Sequence, residues 1–462
     1  MVAISKLMNN GLLLASQSVF QDLATPEQAA VEQYNIINFL GGSAPYIQRN
    51  GAGISTDIPQ QCTLEHVQLF SRHGERYPGL DLGGTLEDIY KKFKEYNGTF
   101  KGDLAFLNDY TYFADNKNLY EKETTPMNSE GLFSGTSDAM RHGAAFRAKY
   151  GSLYKENTTL PVFSSSSGRV FLTGEYFTRG FFGEEYSDET HKYVIVDEDP
   201  LMGGNSLTPS NGCTAFDWYA SDKLLEAYDT SYLDDIADRF NNANKGLNIS
   251  STEVSHLFDW CAYELNVRGA SPFCDIFTNE EFIRASYAQD LLYYYSNGPG
   301  NNDSALVGSP ILEASLKLLK DTEAKNQLWL SFTHDFEIEF FHAALGLLSP
   351  KEHLPLGYIP VPNPYVHASI VPQGARIYIE KYGCGNDSYV RIIVNDAVVP
   401  IEKCFSGPGF SCKIADYEKI INDRLNQENY RQHCKIAMNT PDHISFYWNY
   451  MNTTYNAPLG NY

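Results

Sequence analysis

Positive charge is scarce in this chain of 462 residues: Lys and Arg total 35 against 57 Asp and Glu, a net charge of −22 at pH 7. A protein this acidic repels nucleic acid and anionic membrane, both of which need a basic face, so neither is expected as a partner. Long apolar runs are also missing. None approaches the roughly 18 residues that a membrane-spanning helix requires, and no membrane span is expected. None of the eight cysteines stands in a Cys-x-x-Cys pair, the spacing typical of zinc or redox sites. Internal repeats and long low-complexity tracts are absent. What remains is an ordinary globular composition, 43% hydrophobic and 20% charged, with material for a sizeable core. A length prior of roughly 150 residues per domain suggests two or three units.

The cysteines, Cys62, Cys213, Cys261, Cys274, Cys384, Cys404, Cys412 and Cys434, are even in number. Sequons for N-glycosylation begin at Asn97, Asn157, Asn248, Asn302, Asn386 and Asn452. Together they favour an oxidising, glycosylating compartment, and hence secretion to the medium, the periplasmic space or the cell wall. The pI of 4.9 brings the net charge towards zero in mild acid, which fits work in an acidic medium. Near the N-terminus Lys6 precedes the apolar patch Gly11 to Ser16, shorter than most signal cores of about 7–15 apolar residues. This stretch is expected to be retained. Residues 1–50 are read as an arm that packs on this or a neighbouring subunit, with a homo-oligomer as the corresponding expectation.

Thr63 to Phe70 shows the pattern of a strand, with Leu64, Val67 and Leu69 apolar, and runs straight into a polar loop. Residues 84–160 look largely helical. Pro161-Val162-Phe163 reads as a short buried strand ending in Ser164 to Ser167. A helix follows from Arg169, with Val170, Gly174, Phe177 and Phe181 along one face. Residues 215–295 are again helix-like, and the breaker cluster Asn297 to Asn302 marks a boundary. A helix over Ile311 to Asn326 and an apolar strand over Leu328 to Phe332 come next. The last third is β-rich, at Ala375 to Lys381, Tyr389 to Val394 and Ala397 to Ile401, the latter two joined at Asn395-Asp396. Strands interleaved with helices predict an α/β sheet, and the helix-rich stretches an inserted, smaller α-helical domain. The expected division is an α/β domain of 51–83, 140–199 and 306–462, and a helical domain of 84–139 and 200–305.

The strongest motif is Ser71-Arg72-His73-Gly74-Glu75-Arg76-Tyr77-Pro78. It follows an apolar strand, where open α/β sheets place their binding crevices. Arg72 and Arg76 flank His73, and arginine forks match the oxygens of phosphate. Two clustered arginines with only Glu75 beside them call for an anion. Thr333-His334-Asp335 stands in the same position after the strand Leu328 to Phe332. The two loops meet if both strands are central and parallel. Arg169 opens the helix after the serine run, where the helix dipole already favours negative charge; a bound anion would relieve that conflict. Arg141-His142-Gly143 repeats the first tripeptide, but within a helical pattern and with no strand before it. It is read as a structural helix surface.

The first motif followed by Thr333-His334-Asp335 resembles the histidine acid phosphatase family, in particular its secreted yeast acid phosphatase and fungal phytase branch. Phe39 to Tyr46, Trp260 to Glu264, Val371 to Arg376 and Gly407 to Cys412 add to the likeness, which spans nearly the whole chain after residue 35. The resemblance implies a phosphoglycerate-mutase-like fold, a mixed, mostly parallel central sheet with helices on both faces. It implies that His73 is the phosphate-accepting nucleophile and that Arg72, Arg76, Arg169 and His334 bind the phosphate. Asp335 would protonate the leaving oxygen. It also implies four disulfides, Cys62–Cys384, Cys213–Cys434, Cys261–Cys274 and Cys404–Cys412. The substrates implied are small phosphate monoesters, phytate among them. Two departures stand beside the motifs: Gly79 where Thr is common, and Phe336 where a small polar residue is common.

Phosphoryl transfer asks mainly for positioning and charge stabilisation. A free imidazole would be protonated in acid, so the arginines are expected to lower the pKa of His73, and a backbone carbonyl to fix its tautomer. Asp335 is expected to carry a proton from the start, favoured by acid and partial burial. No metal or cofactor is expected, because the arginines supply the charge. An intracellular phosphomutase or sugar-phosphate phosphatase with the same Arg-His-Gly core stays open as the alternative.

Overall fold

The strand that starts near Thr63 outruns its apolar alternation, because its polar end is buried as well. The computed structural model describes residues 36–323, 326–426 and 429–460. The patch Gly11 to Ser16 and the rest of the arm up to residue 35 lie outside the described residues. The strands are β1 (Cys62–Arg72), β2 (Leu160–Ser165), β3 (His191–Val196), β4 (Leu328–Thr333), β5 (Arg376–Cys384), β6 (Asp387–Val394), β7 (Ala397–Val398) and β8 (Cys412–Lys413). The longer helices are α1 (Leu80–Glu95), α2 (Gly135–Tyr150), α3 (Gly168–Phe182), α4 (Tyr232–Ala243), α5 (Ser251–Arg268), α6 (Asn279–Ser296), α7 (Ser309–Lys320), α8 (Asp335–Leu345) and α9 (Ile414–Leu425).

The sheet is mixed, in the order β3-β2-β4-β1-β5-β6-β7, with β8 paired to β6. β3, β2, β4 and β1 run parallel, and β5 to β8 extend the sheet antiparallel. Side chains alternate along a strand, so β1 feeds two cores. Val67 and Leu69 pack with Phe146, Phe177 and Phe181 of α2 and α3. Phe70 packs on the other face with Ile311, Ile338, Phe341 and Tyr417 of α7, α8 and α9. A further core of aromatic residues joins α1, α4 and α5, where Trp260 is fully buried and stacks on Phe273 at 4.4 Å. α6 bridges the two regions: Phe282 enters the helical core, whereas Tyr287, Leu291 and Tyr294 enter the sheet's.

Several elements differ from their sequence patterns. β3 has no counterpart among the expected strands, because His191-Lys192-Tyr193 breaks the apolar run that Val194 to Val196 completes. Within 84–160 only the ends are α-helical, with 3-10 turns at Gly102–Asn108 and Lys117–Leu119 between them. Residues 36–49 of the expected arm pack on their own subunit: Leu40 and Ala44 enter the helical core, and Arg49 donates from its backbone N–H to the Asn395 carbonyl (2.9 Å). Disulfides join Cys62 to Cys384, Cys213 to Cys434, Cys261 to Cys274 and Cys404 to Cys412. The first closes the paired ends of β1 and β5. No helix among the described residues is long and apolar enough to cross a membrane.

The second Arg-His-Gly tripeptide lies in α2 as expected, but its histidine is not on the surface. His142 is buried and shares a hydrogen bond of 2.8 Å between Nε2 and the Tyr378 hydroxyl. Gly143 explains itself by packing: a Cβ there would run into the Phe177 carbonyl of α3, and one at Gly180 into the Met140 carbonyl of α2. The two helices touch backbone to backbone. Gly143→Ala is expected to force them apart and cost about 1–3 kcal/mol, read as a lower urea midpoint; an unchanged midpoint would contradict the close contact.

Candidate active site

β1 and β4 lie side by side and parallel, with Arg72 level with Thr333. This register brings the two polar loops to one edge. The His73 N–H donates to the Thr333 carbonyl (3.1 Å), and the Gly374 N–H donates to the His73 carbonyl (2.7 Å). β2 ends at the same edge, Ser164 being paired with Phe332, and α3 starts three residues after it with Arg169 in its first turn. The carboxyl ends of three parallel strands thus bring together His73, His334, Asp335 and Arg169.

The His73 ring is buried. Its Nδ1 lies 2.8 Å from the Gly74 carbonyl, which can only accept, so Nδ1 carries the hydrogen and Nε2 keeps a lone pair. Burial, with Arg72, Arg169, Arg76 and His334 adding repulsion, holds its pKa well below 6.5. His73 is therefore neutral in mild acid. Burial is the larger cause; the arginines add to it. The His334 ring sits edge-on, centroids 5.8 Å apart, and its Nε2 is 2.7 Å from Glu198 Oε1. That contact with His334 overrides burial and lowers the Glu198 carboxyl to about 2.

The three arginines are held very differently. Arg72 donates from Nη1 to the carbonyls of Gly42 and Val371, both at 2.6 Å, and from Nη2 to Asp335 Oδ2 at 2.8 Å. Arg76 donates from Nη1 to the Tyr77 carbonyl (2.8 Å) and lies over the Tyr263 ring. Arg169 donates from Nη1 to Glu121 Oε2 (3.0 Å), while its Nη2 faces His334 Nδ1 at 3.5 Å. The Nε–H of each is buried and finds no acceptor among the described residues. Buried donors of this kind are costly to leave unmatched, and an anion with several oxygens matches them. Arg72 departs from the expected role in degree, since most of its guanidinium is already committed to protein oxygens.

Asp335 departs in charge. Burial would raise its pKa, but Arg72, Arg76, His334 and Arg169 outweigh burial and hold it well below the usual carboxylate range. It is ionised, not protonated as its burial alone suggests. Beside it a cleft of about 500 Å³ opens, lined by Ser167, Glu198, Trp218 and Phe336 among others. The Trp218 and Phe336 rings stand 5.1 Å apart and form an aromatic wall.

Sequence reasoning passed over Glu121 and Glu198, which carry no local motif. It also passed over Gln373, whose Oε1 accepts the Arg76 N–H at 2.7 Å, and Gly42, although both lie in the blocks Val371 to Arg376 and Phe39 to Tyr46.

Fold and site together define an α/β protein in which a buried, neutral imidazole stands beside arginine donors that find no acceptor among the described residues and suit a multi-oxygen anion. The chain belongs to the histidine phosphatase superfamily, branch 2, whose sequence profile matches residues 63–395. It is 62% identical over 460 residues to phytase PHO112 of Candida albicans, covering 99% of this chain and 100% of that protein. It is 42% identical over 435 residues to the constitutive acid phosphatase of Saccharomyces cerevisiae, covering 92% of each. The crystal structure of the phytase from D. castellii superposes with a TM-score of 0.93 at 56% identity, covering 96% of this chain and 97% of that one.

The depressed Asp335 pKa is also a statement about stability. A carboxyl that is more acidic folded than unfolded stabilises the protein above its unfolded value, and that contribution disappears as pH falls through the folded value. Asp335→Asn is therefore expected to lower stability by about 2–3 kcal/mol in mild acid. The gap to wild type should persist at about pH 4, near the unfolded aspartate value, and close only in stronger acid. Thermal melts against pH check this; a gap that closed above pH ~4 would contradict an ionised Asp335.

Proposed function

We propose that the chain is a secreted acid phosphomonoesterase that works through a phosphohistidine on His73, with Asp335 as proton donor and phytate among its substrates. One observation carries the reading: His73, its hydrogen held on Nδ1, lies among three guanidiniums, one of them paired with Asp335 at 2.8 Å, all at the carboxyl edge of the sheet. The sequence similarity to phytase PHO112 supports phytate as one substrate.

Near the pI of 4.9 a phosphate monoester is mostly a monoanion, its second pKa being about 6. As its oxygens dock on Arg72, Arg76, Arg169 and His334, the added negative charge offsets the arginines that hold Asp335 ionised. The ester's own proton then passes to Asp335. His73 Nε2 attacks phosphorus, the P–O ester bond breaks, and Asp335 returns the proton to the leaving oxygen. Water next attacks the phosphorus, giving a proton to the Asp335 carboxylate, and the P–N bond breaks to release phosphate and neutral His73. Asp335 then passes this proton to the departing phosphate, which leaves as the monoanion, so that each group ends as it began.

His73→Ala is expected to lower kcat by more than about 1,000-fold; a variant keeping a tenth of wild-type turnover would sink the nucleophile role. Asp335→Asn should lose about 100-fold or more on an alkyl phosphate and far less on p-nitrophenyl phosphate, whose leaving group needs no proton. Equal losses on both would count against Asp335 as the acid.

Four disulfides and six sequon asparagines, all exposed, support secretion with glycosylation at Asn97, Asn157, Asn248, Asn302, Asn386 and Asn452. They also disfavour the intracellular phosphomutase alternative. A homo-oligomer formed through the N-terminal arm is proposed. Light scattering on the secreted protein, before and after enzymatic deglycosylation and with residues 1–35 removed, reads both. A single-subunit mass for the full chain would overturn the oligomer, and a mass unmoved by deglycosylation would overturn the glycans.

A further inference from the structure

Behind His73 lies a buried carboxyl that the mechanism does not use. The segment around Glu121 to Thr124 pairs with the motif loop: the Tyr77 N–H donates to the Lys122 carbonyl (2.9 Å) and the Thr124 N–H to the Glu75 carbonyl (2.8 Å). From this segment Glu121 reaches Arg169, and Glu123 reaches Thr173 one turn further along α3. The space is tight. A Cβ on Gly74 would press on Glu123 Oε1 at 2.5 Å and on Gly135 at 2.9 Å, and a Cβ on Gly135 on Glu123 Cγ at 2.7 Å.

The Thr173 hydroxyl has three polar neighbours: the Gly74 N–H at 2.8 Å, Glu123 Oε1 at 2.9 Å and the Arg169 carbonyl at 3.0 Å. A hydroxyl has one hydrogen and two lone pairs. The amide N–H takes one lone pair. The carbonyl can only accept, so it takes the hydroxyl hydrogen. Glu123 then satisfies the remaining lone pair only by donating. An ionised Glu123 would instead compete with the Arg169 carbonyl for a single hydrogen. Glu75 stands nearby, its Oε1 accepting the Tyr46 N–H at 2.7 Å, and Oε2 of both glutamates is buried without a partner among the described residues. Burial pushes Glu123 well above the usual carboxyl range and the neighbouring Glu75 adds to it, against the pull of the Thr173 hydroxyl, Arg169 and the Gly74 N–H.

We propose that Glu123 is a positioning residue that stays protonated and donates to Thr173, so that Thr173 holds Gly74 and the Gly74 carbonyl holds the hydrogen of His73 on Nδ1. The chain Glu123, Thr173, Gly74, His73 keeps the Nε2 lone pair aimed at the phosphate site. The proposal rests on His73 as the nucleophile, and its principal readouts do not depend on turnover.

Infrared difference spectra of wild type and Glu123→Gln at neutral pH test the proton directly. One protonated-carboxyl C=O stretch of wild type is expected to persist in Glu75→Gln and to vanish in Glu123→Gln, apart from the bands of other raised carboxyls such as Glu337. No such band, or one lost with Glu75→Gln instead, overturns the proposal. Nitrogen-15 shifts of His73 should report a single Nδ1–H tautomer in wild type and Glu123→Gln, and a mixture in Glu123→Leu. A single tautomer in folded Glu123→Leu overturns it. In kinetics Glu123→Gln, which can still donate, should stay within about 3-fold of wild type, whereas Glu123→Leu should lose up to about 100-fold in kcat with little change in KM. Equal activity, or equal loss, in the two variants overturns it. If Glu123→Leu fails to fold, the infrared and Glu123→Gln results decide alone. Turnover surviving in His73→Ala would remove the nucleophile reading and leave the infrared and tautomer results standing.

Discussion

Three guanidiniums, Arg72, Arg76 and Arg169, share one buried space at the carboxyl ends of β1, β4 and β2. Their mutual repulsion is the constraint that shapes the rest of the site. The protein contains it with whole carboxylates, Asp335 on Arg72 and Glu121 on Arg169, and with carbonyls from Gly42, Val371 and Tyr77. Among the described residues a buried Nε–H on each still finds no acceptor. Two opposite protonation states stand within this cluster: burial keeps His73 neutral, with the arginine field adding to it, whereas for Asp335 the field outweighs burial and keeps the carboxyl ionised. In the proposed mechanism a docking phosphate weakens that field, and the proton for the leaving group becomes available when the substrate is in place.

Holding the cluster recruits chain from far away. The Phe39 to Tyr46 block supplies the Gly42 carbonyl to Arg72 and the Ser43 carbonyl to Gln373. Gln373 in turn accepts the Arg76 N–H, and Val371, two residues before it, accepts from Arg72. The backbone of residues 40–46 thus braces the arginines from behind, while the Cys62–Cys384 disulfide closes the far end of the same β1–β5 pair. The acidic balance of the chain, net −22, repels phosphate esters at neutral pH, and that repulsion fades as the solution approaches the pI.

Much of this was legible in the chain. Arg72, His73, Arg76, His334 and Asp335 stand directly after apolar strands, and an arginine at the start of a helix after a serine run drew attention to Arg169. Local pattern was enough because strand, loop and helix start are read over a few residues. Glu198, Glu121 and Thr173 were not legible, since each meets its partner only after β2, α3 and β4 are laid side by side. β3 was missed because its first half, His191 to Tyr193, has no apolar pattern of its own; His191 is buried there by aromatic neighbours such as Tyr186, which stacks on it at 4.6 Å.

The two Arg-His-Gly tripeptides mark the boundary between the two kinds of information. The sequence by itself determined which of them ends a strand and which lies in a helix, because strand and helix periodicities are local properties. Only the tertiary structure decided what each histidine became. His73 is neutral because the parallel register of β1 and β4 buries it among arginines drawn from distant segments. His142 is buried because Gly143 lets α2 lie against α3, over Tyr378. Burial, charge and tautomer are set by neighbours from elsewhere in the chain, and those neighbours exist only once the sheet is formed.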